Sequence, residues 1–536
     1  MMTTDQRIYL YDTTLRDGAQ TSGVDFSLAD KQAIASDLDA FGIDYLECGW
    51  PGANPLDDAF FAALPRLENT RAVAFGMTAR AGIAPMEDAQ LRAVLAAPVD
   101  VICLVGKTWD FHVDVALNIP LEQNLSLIAD SVAFAVSQGK EVLFDAEHFF
   151  DGYKANPSYA LACARAAWKA GARWVVLCDT NGGLLPDEVR TIVQAITVHI
   201  PGGHLGIHCH NDAEVAVANS LAAVAAGVCQ VQGTFGGLGE RCGNANLASI
   251  IPALILKQGW RTGVDPQQLT RLTPLVRRLE TRLNRPHNRH AAYVGESAFA
   301  HKGGLHISAV VRNPRSYEHL DPATVGNTRK ILVSDQSGKS ALTDRLAALN
   351  VPLPEDKTRL NTLLTRIKEL EFSGFAFENA DASFVLLAQD VLHGLKRFFE
   401  LGGFRVVDEK TVSADGSIQT SSAATVLVNI NGDKHTAEAS GNGPVNALDT
   451  ALRRVLLKAY PVLATVKLVD YKVRILTPQD GTEAITRVLI ESQDALGRIW
   501  ATVGVSTNVI DASCKAVEEA LRYKLFVDRT YAAVAF

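Results

Sequence analysis

From residue 7 to about 260, short apolar runs alternate with longer stretches in which apolar residues recur every three or four positions. The short runs predict strands at Ile8–Asp12, Ile43–Cys48, Ala72–Gly76, Val99–Val105, Glu141–Asp145, Trp174–Cys178, Leu205–His210 and Cys229–Gly233. Runs such as Val99–Val105 are apolar almost throughout, as in parallel strands buried on both faces. The periodic stretches predict helices over Leu28–Phe41, Asp57–Leu67, Asp88–Ala96, Leu121–Gln138, Ser158–Ala170, Pro186–His199, Glu214–Ala226 and Ala245–Gln258. Eight such strand–helix units in about 250 residues is the arithmetic of an α/β fold of the (β/α)8 TIM-barrel type. A doubly wound open sheet competes with it, but needs a glycine-rich phosphate turn after the first strand. Tyr11-Asp12-Thr13-Thr14-Leu15-Arg16-Asp17 is not such a turn.

Beyond about residue 275 the pattern changes. The reading divides the chain into a barrel over 1–275, a first linker subdomain over 276–335, a helical second subdomain over 336–395 and an α+β block over 396–536. The first linker is rich in Arg, His, Asn and Gly with little apolar periodicity. The second reads as helices Ser340–Leu349, Pro354–Glu371 and Asp381–Leu395. Strands are predicted in the last block near 404–412, 424–431, 466–475 and 486–493. That block repeats itself weakly: Ala437, Val445, Ala451 and Leu457 are echoed 64 residues later by Ala501, Val509, Lys515 and Leu521. At Gly441-Asn442-Gly443-Pro444 a helix begins, which either offers its N-terminus to a ligand carboxylate or is a plain entry turn.

Composition narrows the function. Of 536 residues, 48% are hydrophobic and 21% charged, so disorder, collagen and coiled coil are excluded as the main architecture. A net charge of −8 with no basic stripe argues against nucleic acid. No run of 18 apolar residues predicts a membrane span, and the start lacks the layout of a signal peptide. The eight cysteines form no C-x-x-C pair and read as reduced, mostly buried thiols of a cytoplasmic protein.

In such a barrel the chemistry sits at the carboxyl ends of the strands. There the sequence offers Arg16, Asp17, Glu47, Glu147, His148, Asp179, Thr180, Asn181, His208, His210, Glu240, Arg241 and Asn244. His208-Cys209-His210 is the sharpest element. Residues i and i+2 of a strand share a face, so both imidazoles aim into the mouth and Cys209 points out toward the helices. Two imidazoles with one carboxylate, for which Asp17 is the natural choice, suit a divalent metal with open positions. A 2-oxo acid can chelate such an ion, and Arg16 would then stabilise its keto oxygen as an alkoxide forms. Thr180 either fixes a substrate carboxylate or caps a helix. Glu147 either bridges substrate and metal waters or is a salt-bridged loop carboxylate. Outside the barrel, Lys302-Gly303-Gly304-Leu305-His306 carries an imidazole suited to proton transfer, with Tyr317 nearby.

These residues resemble the 2-isopropylmalate, homocitrate and citramalate synthase family. The matching stretches are Asp12-Thr13-Thr14-Leu15-Arg16-Asp17-Gly18-Ala19-Gln20, Asp179-Thr180-Asn181-Gly182, His208-Cys209-His210-Asn211-Asp212 and Gly239-Glu240-Arg241-Cys242-Gly243-Asn244. His301-Lys302-Gly303-Gly304-Leu305-His306 and Ser337-Gly338-Lys339-Ser340 extend the match beyond the barrel. Gly49-Trp50-Pro51-Gly52-Ala53-Asn54-Pro55 and Phe377-Glu378-Asn379-Ala380-Asp381-Ala382-Ser383-Phe384 resemble the pyruvate-condensing, citramalate-forming branch.

The resemblance implies a transferase that joins acetyl-CoA to pyruvate with the help of Mg, Mn or Zn. It gives metal binding to Asp17, His208, His210 and Asn244, and substrate contacts to Arg16 and Thr180. Glu147 and His306 become acid–base candidates, with His301 as a rival and Tyr317 as a looser match. Met77 and Leu104 are the expected walls of a small pocket for the pyruvate methyl, and Asp145 stands where relatives carry a bulkier side chain. The C-terminal block is expected to be regulatory, with isoleucine as allosteric effector, in a homodimer. The alternatives are a 2-isopropylmalate or homocitrate synthase (His148 then meeting a second carboxylate), an acyl-CoA lyase, and a barrel that only binds metabolites.

Overall fold

A computed structural model describes residues 7–283, 285–331, 339–395, 397–412 and 418–534. The Ser337-Gly338 half of the motif named above lies outside the described residues. The described chain forms two compact units: one runs to Phe299 and includes Leu320–Arg329; the other holds Ala300–His319 and everything from Lys330 onward.

The first unit is the predicted barrel. Its eight parallel strands close in sequence order: β1 Tyr9–Asp12, β2 Tyr45–Gly49, β3 Arg71–Met77, β4 Val101–Lys107, β5 Glu141–Glu147, β6 Trp174–Asp179, β7 Leu205–Cys209 and β8 Gln230–Gly233. Every expected strand is present, shifted by a residue or two. The open-sheet alternative fails because β1 pairs with β8 as well as with β2.

Strand alternation sorts side chains into two layers. Leu10, Leu46, Ile102, Phe144, Leu177, Ile207 and Val231 point outward and join the helices in a continuous core. Tyr11, Tyr45, Phe75, Cys103, Trp174 and Val176 point inward and fill the barrel. Trp174 Nε1 donates to Tyr45 Oη at 3.3 Å, and Tyr45 donates to Glu141 at 2.8 Å, so the polar tips of this plug are satisfied. The barrel is therefore packed below its mouth and open for chemistry only at the top.

Local signals set the helix ends. Ser27 and Asp30 form a capping box at the start of Leu28–Phe41, an arrangement worth about 1 kcal/mol. The same helix stops at Gly42, whose φ of 100° is left-handed and whose Cβ, if present, would lie 2.7 Å from Gly263 O. The Gly49–Pro55 stretch has a structural task. Asp57 accepts from Trp50 N and Asn54 Nδ2, both at 2.9 Å, and pairs with the buried Lys31.

The second unit carries helices Lys339–Ala348, Thr358–Phe372 and Asp381–His393, close to expectation. Its C-terminal part bears out the repeat. Strands Glu400–Val412, Ile418–Ile430 and Asp433–Gly441 form one antiparallel sheet, followed by helix Pro444–Ala459. Strands Lys467–Ile475, Thr486–Gln493 and Ile499–Ser506 form a second, followed by helix Val509–Val534. The third strand of each sheet is absent from the sequence reading. Asp433–Gly441 is polar and mostly exposed, so no apolar alternation marks it.

Candidate active site at the barrel mouth

β7 ends in Gly206, His208 and, just past its last residue, His210, all of one parity. His208 and His210 face the mouth with ring centroids 5.1 Å apart, while Cys209 packs outward in the strand–helix core. The parity expectation is met. Asp17 enters from the loop after β1, with Oδ2 3.6 Å from His208 Nε2. Donor atoms of Asp17, His208 and His210 lie within 4.8 Å of one another, and all three residues are buried.

Asn244 adjoins the group. Its Nδ2 donates to Asp17 Oδ2 at 2.7 Å, while its Oδ1 is buried with no hydrogen-bond partner. Gly239 makes room for it: a Cβ there would sit 2.5 Å from Asn244 Oδ1. His210 Nδ1 is likewise buried and unpaired. Burial, then the neighbouring His208, pushes the His210 pKa down to about 3, so its imidazole is neutral and free to donate a lone pair. Burial opposes the charge on Asp17, but Arg16, His208, His210 and Asn244 outweigh it and hold the carboxyl below its usual range. Two imidazoles, a carboxylate and an unpaired amide oxygen are the donor types a divalent cation takes. The residues present fit the implied metal.

Arg16 is locked from three sides. Its Nε donates to the fully buried Glu47, its guanidinium lies 3.7 Å above the Phe75 ring centroid, and NH1 is 3.6 Å from Asp17. Glu47 is itself held by Tyr11 Oη at 2.8 Å. One face of the guanidinium is thus consumed by positioning, which leaves a fixed cation beside the donor cluster.

Thr180 does not cap a helix. The following helix starts at Pro186, and Thr180 Oγ1 accepts from His148 N at 2.9 Å. With the oxygen so engaged, its proton remains for an outside acceptor. Arg241 braces this loop, bidentate to Asp212 at 2.8 Å and donating to Thr180 O at 2.7 Å. Glu147 ends β5 and pairs with Lys107 of β4 at 2.5 Å. His148, in the left-handed region with φ of 56°, has Nδ1 3.3 Å from Asp151 and its ring 4.1 Å from His112.

Of the two expected pocket walls, one is wrong. Leu104 shares its parity with Ile102 and belongs to the outer core with the helices, so it lines no mouth. Val101, Cys103 and Val105 are the inward residues of β4. Met77 shares the inward parity of Val73 and Phe75. Asp145 is inward and buried.

His306 and Tyr317 belong to the second unit. Both are exposed and their rings stack, with centroids 4.1 Å apart. The rival His301 is buried, its Nε2 3.1 Å from Glu318. The structure therefore gathers Arg16, Asp17, Glu147, Thr180, His208, His210 and Asn244 in the barrel unit and sets His306 and Tyr317 together in the other. Sequence reasoning placed Glu47 and Asp145 at the mouth without seeing what they hold, Arg16 and Gln232, and missed Phe75 under Arg16 and Gln232 under His208. Inward strand parity is the signal that finds them.

Fold and site define a class, a (β/α)8 barrel with a nitrogen-and-oxygen donor cluster in its mouth. Residues 7–276 match the HMGL-like family model. Residues 293–374 match the homocitrate synthase post-HMGL domain-like model, and 378–525 the LeuA allosteric (dimerisation) domain. The chain is 50% identical to the (R)-citramalate synthase of Geobacter sulfurreducens over 97% of both chains. It is 49% identical to that of Aquifex aeolicus over 98% of both. The 2-isopropylmalate synthase of Dictyoglomus turgidum is 30% identical over 96% of this chain and 98% of its own. The chain belongs to the HMGL-like family and, within it, to the (R)-citramalate synthases.

Proposed function

We propose that this chain condenses acetyl-CoA with pyruvate and hydrolyses the resulting thioester, releasing (R)-citramalate and CoA for isoleucine synthesis. The observation that carries the reading is the Asp17–His208–His210 cluster beside the braced Arg16 in a barrel of this family. Asp17, His208, His210 and Asn244 Oδ1 would hold a divalent cation, which when bound polarises the 2-oxo group. Arg16 offsets the negative charge that develops on the keto oxygen, and its bracing by Glu47 means it need not reorganise as that charge appears. Thr180 donates its free hydroxyl proton to the pyruvate carboxylate. A base removes a proton from the acetyl methyl, the carbanion attacks the keto carbon, and water then cleaves the thioester. His306 is the proposed base, with Glu147 as the acid–base partner and Tyr317 aligning the His306 ring through their stack. Met77 supplies an apolar wall beside the substrate methyl.

The C-terminal block is read as the site of isoleucine inhibition, which the LeuA allosteric model supports. The same match supports a homodimer, as does the apolar surface of strand Lys467–Ile475, where Leu468, Val469, Val473 and Ile475 are each about half exposed. Eight free thiols suit a reducing, cytoplasmic setting, and no helix among the described residues is long and apolar enough to cross a membrane. Thiol release with acetyl-CoA and pyruvate, 2-oxoisovalerate or 2-oxoglutarate tests the substrate. Pyruvate should be turned over fastest, and little activity on it would overturn the reading.

A further inference from the structure

Below the mouth, a buried chain of polar contacts runs across the barrel from β7 to β5. His208 Nδ1 is 3.0 Å from Gln232 Oε1, and Gln232 Nε2 donates to Asp145 Oδ1 at 2.9 Å. Gln232 is fully buried on β8, and Asp145 is buried beside it. The amide has one sensible orientation. Reversed, it would set its oxygen against an oxygen of the buried Asp145 carboxylate. With the oxygen toward His208, Nδ1 must carry the proton, because a neutral imidazole has one donor and one acceptor nitrogen. The lone pair is then on Nε2, the nitrogen that faces Asp17. That pair lies 3.6 Å apart, beyond hydrogen-bond reach, so Asp17 does not engage the lone pair.

We propose that Gln232 is a positioning residue that locks His208 in its Nδ1–H tautomer and so presents Nε2 to a divalent cation, with Asp145 fixing the orientation of the amide. The inference rests on the reading of Asp17 and His208 as cation ligands. His210 has no such lock, since its Nδ1 has no partner. The two imidazoles are thus inequivalent, with His208 oriented in advance. Partners of this kind behind a metal-binding histidine contribute about 10–100-fold in affinity. The alternative is that Gln232 only fills space in the barrel.

The test is Mn2+ binding to the full-length, chelator-stripped protein without substrates, with free Mn2+ read by electron paramagnetic resonance. Wild type is expected to bind one ion per chain. Gln232→Met keeps the length of the side chain and removes the amide; its Kd should rise about 10–100-fold. Gln232→Glu keeps an acceptor for Nδ1–H, and its Kd should stay within about threefold of wild type. A space-filling residue predicts the reverse order, because Met is the better filler and Glu buries a second carboxylate beside Asp145. Wild-type affinity in Gln232→Met overturns the lock and leaves the cation reading standing. Should Gln232→Met not fold, tenfold weaker binding by folded Gln232→Glu overturns the lock instead. A wild type that binds no Mn2+ overturns the cation reading and the lock with it.

Discussion

Two regions bury polar groups and treat them in opposite ways. At the barrel mouth, His210 Nδ1 and Asn244 Oδ1 are out of water with no partner in the protein. In the second unit, a cavity of about 500 Å3 is lined by Val385, Trp500 and Tyr523 together with Asp494, Arg498 and Lys524. There the charges answer one another. Asp494 accepts from Lys524 Nζ at 3.0 Å and Arg498 Nε at 2.7 Å, and Lys524 also meets Asp528 at 3.0 Å. An unpaired buried polar group costs about 1–3 kcal/mol. The proposed cation would relieve that cost at the mouth; the second-unit network acts as a staple between the turn that joins the last two strands and the final helix. The contrast predicts that substitutions at the mouth remove chemistry and spare the fold, and that substitutions in the network do the opposite.

The largest effect is expected from His208→Ala. Losing a cation ligand should abolish bound metal and lower turnover by roughly 10³-fold or more, the rate equivalent of several kcal/mol of lost charge stabilisation. The melting temperature should hardly move. Metal content by elemental analysis, thiol release and a thermal melt check all three. Metal-replete, active His208→Ala would break the assignment of the mouth.

Next in size is His306→Ala, which sharpens the comparison from the other unit. It should retain wild-type Mn2+ affinity while turnover falls by about 10²–10⁴-fold, the usual contribution of a general base. A variant as fast as wild type would remove His306 from the reaction.

How far the sequence foretold these two regions follows from what each is made of. Barrel strands are apolar on both faces and so stand out as unbroken runs, and the H-x-H pair is legible because strand parity alone fixes its direction. Leu104 fails for the same reason His208 succeeds. It lies midway along β4, its parity is that of Ile102, and it faces the helices. Inward parity marks the supports under the site, but it gives a side chain's direction and not its partner: Gln232 and Asp145 are 87 positions apart, Arg16 and Glu47 are 31. Strand Asp433–Gly441 was missed because its exposed residues carry no apolar alternation.

Lys524→Met should have a smaller effect, of a different kind. It leaves the buried Asp494 with Arg498 alone and should lower stability by about 2–4 kcal/mol, read as a shift in urea midpoint, while turnover per folded chain stays near wild type. Acid should mimic it. Burial opposes the charge on Asp494, but Arg498 and Lys524 outweigh it and hold the carboxyl well below its usual range. A group lowered on folding contributes stability that is present above its unfolded pKa of about 4 and is lost as the pH falls further.

Glu519, in the same unit, reverses that sign. It is held against Ser383, whose Oγ donates to it and accepts from Val503 N at 3.0 Å. Burial raises its pKa to about 7, and the Ser383 hydrogen bond offsets only part of the rise. The folded chain therefore keeps a proton that the unfolded chain releases near pH 4.5. The contribution is fully present below about pH 4.5, declines as the pH rises toward 7, and stays lost above it. Glu519→Gln preserves an acceptor for Ser383 and removes the ionisation. It should lie within about 1 kcal/mol of wild type at pH 5 and exceed it by about 3 kcal/mol at pH 8, measured from urea midpoints at the two values. Because Lys524→Met loses stability where Glu519→Gln gains it, the pair separates a buried carboxylate that its neighbours keep charged from one that burial keeps neutral up to about pH 7. Equal midpoints for Glu519→Gln and wild type at pH 8 would mean that folding does not raise the Glu519 pKa.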